Sequence, residues 1–360
     1  RSCTATATSP CGHFSSNTCP SSLRRRAALI IFSSPKRPGS LRKPTPRPSK
    51  VTPLTFTPGV PGPGHLFAAN DEQKQRWLPG MVSGKFVGAI AMTEPNTGSD
   101  LGGVRSTAKR HGDSFVVNGA KTFISNGIHS DLVITVVKTD PDKGHRGISL
   151  LIAERGMKGF ERGRNLDKMG IHAQDTAELF YTDVEIPKAN LLGEEGMGFV
   201  YQMQQFQEER LWGAISAVVG MERLIAETAE YTRERKVFGR PLLDNQIIHF
   251  KLAELSTEVE LVRSLCYRAC EEYLDGKDVV MLASMAKLKA GRMVRLVTDG
   301  CLQYWGGAGY LWESPTARAF RDSRLASIGG GADEVMLQII SKLMGIAPGT
   351  ANAAARKKPH

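Results

Sequence analysis

The chain has 360 residues, more than one hydrophobic core usually holds, so two or three domains are expected. The net charge of +11 comes from the first fifty residues, which hold ten Lys and Arg and no acidic residue. A nucleic-acid groove needs basic residues on a folded face, and no apolar run reaches the roughly 18 residues of a membrane span. The composition therefore argues against nucleic-acid binding and against a membrane-spanning segment.

Residues 1–65 are basic and rich in Pro, Ser and Thr, and no helical or strand period persists in them. We predict a disordered tail over 1–65. Abundant Arg and Ser without acid is also typical of an organelle transit peptide, whereas the many prolines argue against the amphipathic helix of such peptides. Both interpretations stay open. A second disordered tail is predicted over 347–360.

The folded part begins with a capped helix and its exit over 66–85, followed by short strands over 86–192. Within these strands, Asn118-Gly119 has the composition of a hairpin turn between two strands. Many strands with no intervening helix predict an antiparallel β-barrel or sandwich as the middle domain.

From 193 to 346 the apolar residues recur at helical spacing. Three long helices are predicted, with two shorter ones near Pro315–Arg324 and Glu334–Met344: the long ones run from Gly198 to about Arg235, over Gln246–Leu274 and over Asp278–Leu302. Long helices with short links indicate a bundle. The predicted fold class is therefore α+β and multidomain.

Cys266 and Cys270 lie four residues apart on one predicted helix face, a spacing that also occurs in metal sites. No second Cys or His pair follows at a ligand spacing. We therefore predict that these thiols pack in the helical core and that the chain binds no metal.

Four polar or glycine-rich segments are candidates for binding: the loop Thr93–Asp100, the basic segment Arg235–Arg240, and the two glycine clusters 306–309 and 329–331. Each also has an ordinary structural interpretation as a turn or a helix end. Three glycines before a helix are harder to explain in that way. They permit close approach of the backbone, and N–H groups at a helix start attract anions and carbonyls.

Six motifs stand in the order AMTEPNTGSD, FISNG, LDKMG with TAELFYTDVEIP, RERKVFG, LQYWGGAGY and AFRDSRLASIGGGADEV. Together they resemble the acyl-CoA dehydrogenase family over about residues 66–345. The resemblance implies a helical N-terminal domain, a β middle domain, a C-terminal four-helix bundle and FAD between the last two. Only 66–85 resembles the end of the N-terminal domain, so most of that domain is expected to be missing.

The resemblance implies which residues contact FAD. One group would line the flavin ring, a second would reach the dinucleotide of a neighbouring subunit's FAD, and a third, which departs from the family's usual Thr-Ser, would lie near the dinucleotide. The first group is Ile90, Ala91, Met92, Thr93, Glu94, Pro95, Asn96, Thr97, Gly98, Ser99, Phe123, Ile124 and Ser125; the second is Arg235, Gln246, Gln303, Tyr304, Trp305, Gly306 and Gly307; the third is Ala332, Asp333 and Glu334.

The family reaction removes an α-proton while a β-hydride moves to flavin N5, giving the trans-2-enoyl-CoA. Many members carry the base in the glycine-rich segment, where this chain has Gly330. Long-chain and isovaleryl-type members instead carry it on the first bundle helix before an Arg, and Glu209 precedes Arg210 in that way. Either the chain is inactive or Glu209 is the base. The residues Gly213, Ser216 and Gly220 share its helix face and leave room beside it.

Gly330 retains the backbone N–H that the family uses, with a flavin ribityl hydroxyl, to hold the thioester oxygen. The predicted substrate contacts are Ser99, Gln207, Arg210, Gly330 and Gly331. Because no Glu side chain stands at Gly330, a long or branched acyl group is expected.

The resemblance also implies an electron-transfer flavoprotein as the acceptor and a homo-oligomer, either dimer or tetramer. The location would be the mitochondrial matrix in a eukaryote and the cytoplasm in a bacterium. Two alternatives remain: an acyl-CoA oxidase, and a catalytically defective relative that only oligomerises or binds.

Overall fold

The computed structural model describes residues 66–348 apart from Phe67. The predicted tail over 1–65 and almost all of the one over 347–360 lie outside the described residues. No helix in the part that is described is long and apolar enough to cross a membrane.

The first helix, α1, spans Asp71–Val82 and begins with the predicted cap. The Asn70 side chain accepts a hydrogen bond from the Gln73 N–H at 2.8 Å, and the Gln73 side chain accepts one from the Asn70 N–H at 3.0 Å. This reciprocal capping satisfies two N–H groups that a helix start otherwise leaves unpaired. The Gln73 amide also donates to the carbonyls of Ala189 and Leu191, which fixes α1 against the sheet.

An eight-stranded sheet follows. Its strands are β1 Gly88–Ala91, β2 Thr107–His111, β3 Ser114–Ser125, β4 Leu132–Lys138, β5 Ile148–Glu154, β6 Phe160–Asn165, β7 Thr176–Pro187 and β8 Leu191–Leu192. Their order in the sheet is β6-β7-β3-β2-β4-β5-β8, with β1 beside β4.

The sheet is mixed and open, so the predicted antiparallel barrel or sandwich is not confirmed. β1 runs parallel to β4, and β2 meets the same edge of β4 in parallel at Thr107 and Lys138. The chain leaves the sheet after β1 and returns farther along that edge, which preserves its direction. The end strands β6 and β8 do not pair with each other, and the sheet therefore remains unclosed.

The predicted turn at Asn118-Gly119 was wrong. β3 runs through both residues and pairs with β2 on one side and β7 on the other. The hairpin turn lies instead between His111 and Ser114, where Gly112 has a φ of +57°. A Cβ on Gly119 would stand 2.2 Å from the Ser106 Oγ, so this glycine permits a close crossing rather than a turn.

The helical part contains the three long helices that were predicted and two shorter ones. They are α2 Gly198–Glu234, α3 Gln246–Leu274, α4 Val280–Gly309, α5 Pro315–Ser323 and α6 Asp333–Leu343, with a short hairpin of β9 Lys236–Val237 and β10 Arg240–Pro241 between α2 and α3. The prediction of a four-helix bundle is not confirmed in its details by the described residues, which contain three long and two shorter helices. α4 is kinked at Gly306, whose φ is +57°.

The core of the helical part is formed by α2, α3 and α4. Cys266 and Cys301 are buried in this core, together with Met221, Val259 and Met293. Burial raises the pKa of the Cys266 thiol to about 12, as expected for a thiol that packs as a small apolar side chain.

A buried ion pair holds the loop after β1 against the sheet. The Lys121 ammonium, from β3, lies 2.9 Å from Glu94 Oε1 and donates to the carbonyls of Val136 and Met92. Glu94 also accepts from the N–H groups of Arg105 and Ser106. Although burial opposes it, the Lys121 charge together with these hydrogen bonds keeps the pKa of Glu94 below its ordinary value.

Replacing Lys121 with Met should leave the Glu94 carboxylate buried beside no cation. We expect the free energy of unfolding in urea to fall by about 3–5 kcal/mol, as when one partner of a buried pair is removed. The exposed Lys109 of β2 provides the control, since Lys109→Met removes an equal charge from the surface.

A loss below about 1 kcal/mol in the free energy of unfolding of Lys121→Met would contradict this account.

The pH dependence of stability has a fixed sign, because the folded-state pKa of Glu94 is lowered. Its contribution is present above the unfolded-state pKa of the carboxyl and is lost as the pH falls through the folded-state value.

Candidate active site

The loop after β1 is a tight turn whose tip faces outward. Glu94 and Thr97 exchange two backbone hydrogen bonds of 2.9 and 3.0 Å, and the Thr97 hydroxyl donates to the Gly103 carbonyl. Of the predicted flavin contacts in this region, some are buried and some exposed. Ile90, Ala91, Glu94, Thr97 and Ile124 are buried, Met92, Thr93 and Ser125 are half-buried, and Pro95, Asn96, Gly98, Ser99 and Phe123 are exposed.

The Glu94 side chain holds the loop from inside. Its two carboxylate oxygens are occupied by Lys121 and by two backbone N–H groups. The carboxylate is therefore engaged within the chain. The loop backbone and its exposed residues are the parts that can meet a ligand.

Phe123 lies on a bulge of β3 beside the same loop. It has a φ of +58°, and 67% of the residue is exposed. The register of β3 against β7 shifts between Lys121 and Ile124, and the Thr122 N–H donates to the Thr93 carbonyl at 2.9 Å. A left-handed aromatic residue is strained, and such strain often marks a functional site. The bulge turns an apolar ring outward next to a polar turn, and this arrangement fits a flat heteroaromatic ligand.

The predicted base and two of the predicted substrate contacts lie on α2. Glu209 is half-buried and its Oε1 atom is shielded from solvent. Arg210 is only 7% exposed, its guanidinium lies 5.4 Å from the Phe206 ring, and burial lowers its pKa while the Glu209 charge opposes that shift. Within the part of the chain described, the Arg210 Nε has no hydrogen-bond partner.

The two residues before Glu209 have other contacts. Glu208 is exposed and accepts hydrogen bonds from the Tyr273 hydroxyl and the Gln205 amide. The Gln207 side chain accepts a hydrogen bond of 3.3 Å from the Val279 N–H. The Glu208 carboxylate is thus engaged with Tyr273 and Gln205. The Gln207 side chain would have to give up its hydrogen bond with Val279, at the start of α4, to contact a substrate.

Room exists along the face of α2 that carries Glu209. A Cβ built on Gly213 or on Gly220 would meet no atom within 4 Å. Close helix–helix contact therefore does not explain either glycine.

The glycine-rich segment before α6 contains two further predicted substrate contacts, Gly330 and Gly331. Gly330 and Gly331 have φ values of +65° and +100°, and a Cβ on Gly331 would stand 2.6 Å from the Met336 Cε. Ala332 caps α6 without a side-chain hydrogen bond, and Glu334 is exposed. Asp333 is buried and pairs with Arg292 at 3.4 Å, Nε to Oδ2.

Sequence reasoning missed Lys287 of α4. This residue is buried, and its ammonium donates to the Gly331 carbonyl. Burial lowers the pKa of Lys287 to about 8; the charges of Asp333 and Glu334 oppose this shift and that of Arg210 adds to it. The available signal was a lysine at a core position of a helix, beside the buried Ala286 and one turn from Ala290.

The residues predicted to reach the FAD of a neighbouring subunit lie at the far end of the long helices. Arg235 and Gln246 are exposed where α2 ends and α3 begins. Gln303 and Tyr304 line an open cleft of about 730 Å³ with Ile247. The predicted contacts Trp305, Gly306 and Gly307 follow on α4; Gly306 and Gly307 are exposed, whereas Trp305 stacks on Tyr231 with 4.2 Å between ring centroids. Trp305 is therefore engaged within its own chain.

One loop connects the sheet with the helices. Asp175 accepts hydrogen bonds from the N–H groups of Asn126 and Ile128, immediately after the Phe123 bulge. In the same loop, the Ile171 N–H donates to Asp322 of α5 at 2.6 Å. These contacts fix the Phe123 side of the sheet relative to the helical part.

Comparison with known proteins gives two family matches. Residues 89–184 match the acyl-CoA dehydrogenase middle domain, and residues 196–345 match the acyl-CoA dehydrogenase C-terminal domain. The curated "Long-chain specific acyl-CoA dehydrogenase, mitochondrial" of Rattus norvegicus is 45% identical over 273 residues, which are 75% of this chain and 64% of the relative. The chain thus spans somewhat less than two thirds of the length of that relative.

Solved structures agree. The crystal structure of acyl-CoA dehydrogenase from Geobacillus kaustophilus matches with a TM-score of 0.77 and 45% identity, over 79% of this chain and 76% of that one. A chain from the structure described as "Electron transferring flavoprotein of Acidaminococcus fermentans" matches with a TM-score of 0.74 and 37% identity, over 76% and 72%.

Members of the matched family are FAD-dependent flavoproteins that oxidise CH–CH donors. The matched domains cover both the sheet and the helices that carry the candidate residues. On these matches, the chain belongs to the acyl-CoA dehydrogenase family.

Proposed function

We propose that this chain oxidises an acyl-CoA thioester to the trans-2-enoyl-CoA with FAD, and that Glu209 removes the α-proton. Two features occurring together carry the proposal. α2 holds a Glu209 carboxylate oxygen that is shielded from solvent, and position 330 is a glycine. One position supplies a carboxylate and the other supplies only backbone.

The residues for FAD are the turn after β1 and the bulge of β3. The exposed loop tip and the outward Phe123 ring offer polar backbone and an apolar face side by side. When bound, FAD supplies the oxidant for the hydride that leaves the β-carbon. Arg235, Gln246 and Gln303 are proposed to meet the dinucleotide of a second subunit's FAD, which agrees with their exposure.

Glu209 acts as a general base, for which a carboxylate must lie within hydrogen-bond reach of the substrate's α-proton. Entry of an apolar acyl chain displaces water from the space beside Glu209. The neighbouring Arg210, itself 7% exposed, carries a positive charge next to Glu209 on α2.

Negative charge develops on the thioester oxygen as the α-proton leaves, so a hydrogen-bond donor is needed there. The Gly330 N–H is the proposed donor, and Gly331 lies next to it. The CoA portion is proposed to contact the exposed Ser99 and, on α2, Gln207 and Arg210.

A long or branched acyl group is the proposed substrate. Open space lies beside Gly330 as well as beside Gly213 on the Glu209 face. The rat relative is named as long-chain specific and mitochondrial, which supports both this choice and a matrix location if the source is eukaryotic. An electron-transfer flavoprotein is the proposed acceptor, and a dimer or tetramer the proposed assembly.

The visible spectrum of the purified full chain tests the proposal directly. Yellow protein with flavin absorbance that is bleached by an acyl-CoA without oxygen is expected. A panel of straight and branched acyl-CoAs with a dye acceptor then gives the chain-length preference. Colourless protein that no acyl-CoA affects would reject the proposal and favour a non-catalytic relative.

Replacing Glu209 with Gln should lower kcat by at least about 10²-fold, because a general base commonly contributes that much. The flavin absorbance should be unchanged, since the substitution keeps the shape of the side chain. Glu208→Gln is the matched control, as Glu208 is the exposed neighbour that pairs with Tyr273. Near-normal turnover in Glu209→Gln would remove Glu209 from the mechanism.

Replacing Gly213 with Leu should fill the space beside Glu209 on α2. We expect kcat/KM for a long acyl-CoA to fall at least about tenfold relative to a short one, since a side chain then occupies the path of the acyl chain. The ratio of the two substrates, measured in the same variant, controls for general damage. An unchanged ratio would show that the acyl chain takes another course.

A further inference from the structure

Lys287 is a buried cation in the middle of α4. Only 7% of the residue is exposed, and Ala286 and Ala290 beside it are buried in the helical core. An uncompensated charge at such a position is costly, so a buried lysine normally has a specific partner. The partner of the Lys287 ammonium is the carbonyl of Gly331.

The Gly331 carbonyl belongs to the peptide group that joins the glycine segment to Ala332, the N-cap of α6. Gly330 and Gly331 both have left-handed φ values, and a Cβ on Gly330 would meet nothing within 4 Å. Glycines lose more conformational freedom on folding than other residues, and lateral packing does not restrain Gly330. The bond from Lys287 fixes the end of the segment nearest α6.

We propose that Lys287 is a positioning residue, whose ammonium holds the Gly329–Gly331 segment in the conformation that directs the Gly330 N–H toward the thioester oxygen. The inference rests on the proposed function, because it assigns that donor role to Gly330. Lys287 does not touch the substrate in this account and acts only through the backbone.

The charged groups around Lys287 come from two helices packed against α4. Asp333 and Glu334 of α6 favour its charge, whereas Arg210 of α2 opposes it. Asp333 is shared with Arg292, so it does not neutralise Lys287 alone. With burial, this balance brings the pKa of Lys287 down to about 8.

The pH dependence follows with a definite sign. Below about pH 8 Lys287 is charged and donates a charge-assisted hydrogen bond, which is roughly twice as strong as a neutral one. Above that pH the bond weakens and the segment loosens. Because the folded-state pKa is lowered, deprotonation does not reduce the contribution of Lys287 to global stability. Loosening should therefore be local, without general unfolding.

The experiment compares hydrogen exchange of the Gly329–Asp333 amides in the FAD-loaded wild type, Lys287→Met, Lys287→Arg and Lys289→Met. Lys289 is two residues away on α4 and makes a surface ion pair of 2.9 Å with Glu258, so it controls for loss of a lysine. In Lys287→Met we expect protection of these amides to fall at least about tenfold, the loss of one charge-assisted bond, and kcat to fall by a similar factor.

The pH dependence of amide protection and of kcat separates a positioning role from a purely structural one. It can be measured in the wild type and in Lys287→Arg, so it does not depend on whether Lys287→Met folds. In the wild type, protection factors for these amides and kcat should fall together as pH rises through about 8. In Lys287→Arg the charge persists, so this alkaline fall should move to higher pH, while Lys289→Met should behave like the wild type.

Two results overturn the inference and are distinguishable. If the wild type is active but the Gly329–Asp333 amides stay protected in Lys287→Met, or the pH profile of Lys287→Arg equals that of the wild type, the positioning role of Lys287 is rejected. The proposed function is then unaffected. Wild-type protein that binds no flavin and turns over no acyl-CoA overturns the proposed function, and the positioning role with it.

Discussion

The position of the turn after β1 depends on one buried interaction, the ion pair between Lys121 and Glu94. Lys121 donates to the Val136 and Met92 carbonyls as well as to Glu94, so β3, β4 and the turn after β1 are tied at one point. The mixed sheet provides no ladder to do this, because β1 ends at Ala91 and the chain leaves the sheet. Without the buried cation, the turn would keep its hydrogen bonds with the Thr122, Arg105 and Ser106 N–H groups, but its link to β4 through the Val136 carbonyl would be lost.

The same device recurs in the helical part. Lys287, like Lys121, is buried and binds a backbone carbonyl of a segment that belongs to the candidate site, Gly331 for Lys287 and Met92 for Lys121. In both, burial lowers the lysine pKa to about 8 and a carboxylate opposes the shift. A buried ammonium is suited to this task because its three donors can hold polar backbone from behind. The other face of the segment is then available to a ligand.

Periodicity was sufficient for the helices and insufficient for the sheet. The predicted helix Gln246–Leu274 agrees with α3 at both ends, because its apolar residues recur over eight turns. The sheet prediction failed at Asn118-Gly119, where local composition indicated a turn but pairing of β3 with β2 and β7 prevailed. Parallel pairing of β1 with β4 joins residues more than forty positions apart, which no local pattern reports.

For the site, sequence motifs located the segments and the fold supplied their supports. Glu209 was singled out because a carboxylate precedes Arg210 while Gly330 lacks one. Lys287 escaped notice because its partner is a backbone carbonyl, which has no signature in the sequence. The contacts of the Glu94 side chain escaped notice for the same reason, since its partners are a lysine and two N–H groups that meet it only in the folded chain.

The proposed placement of the base on α2, with a glycine at position 330, has a physical consequence for the loop before α6. A side chain at position 330 would have to adopt a φ of +65°, which costs an L-residue roughly 1–2 kcal/mol. A glycine avoids this strain and keeps the N–H, but it gives up the packing that a side chain provides. The segment then needs restraint from elsewhere, and Lys287 is the group that reaches it. In the proposed mechanism, a base on α2 and a lysine behind the loop would be two parts of one arrangement, in which a helix carries the carboxylate and the backbone carries the hydrogen-bond donor.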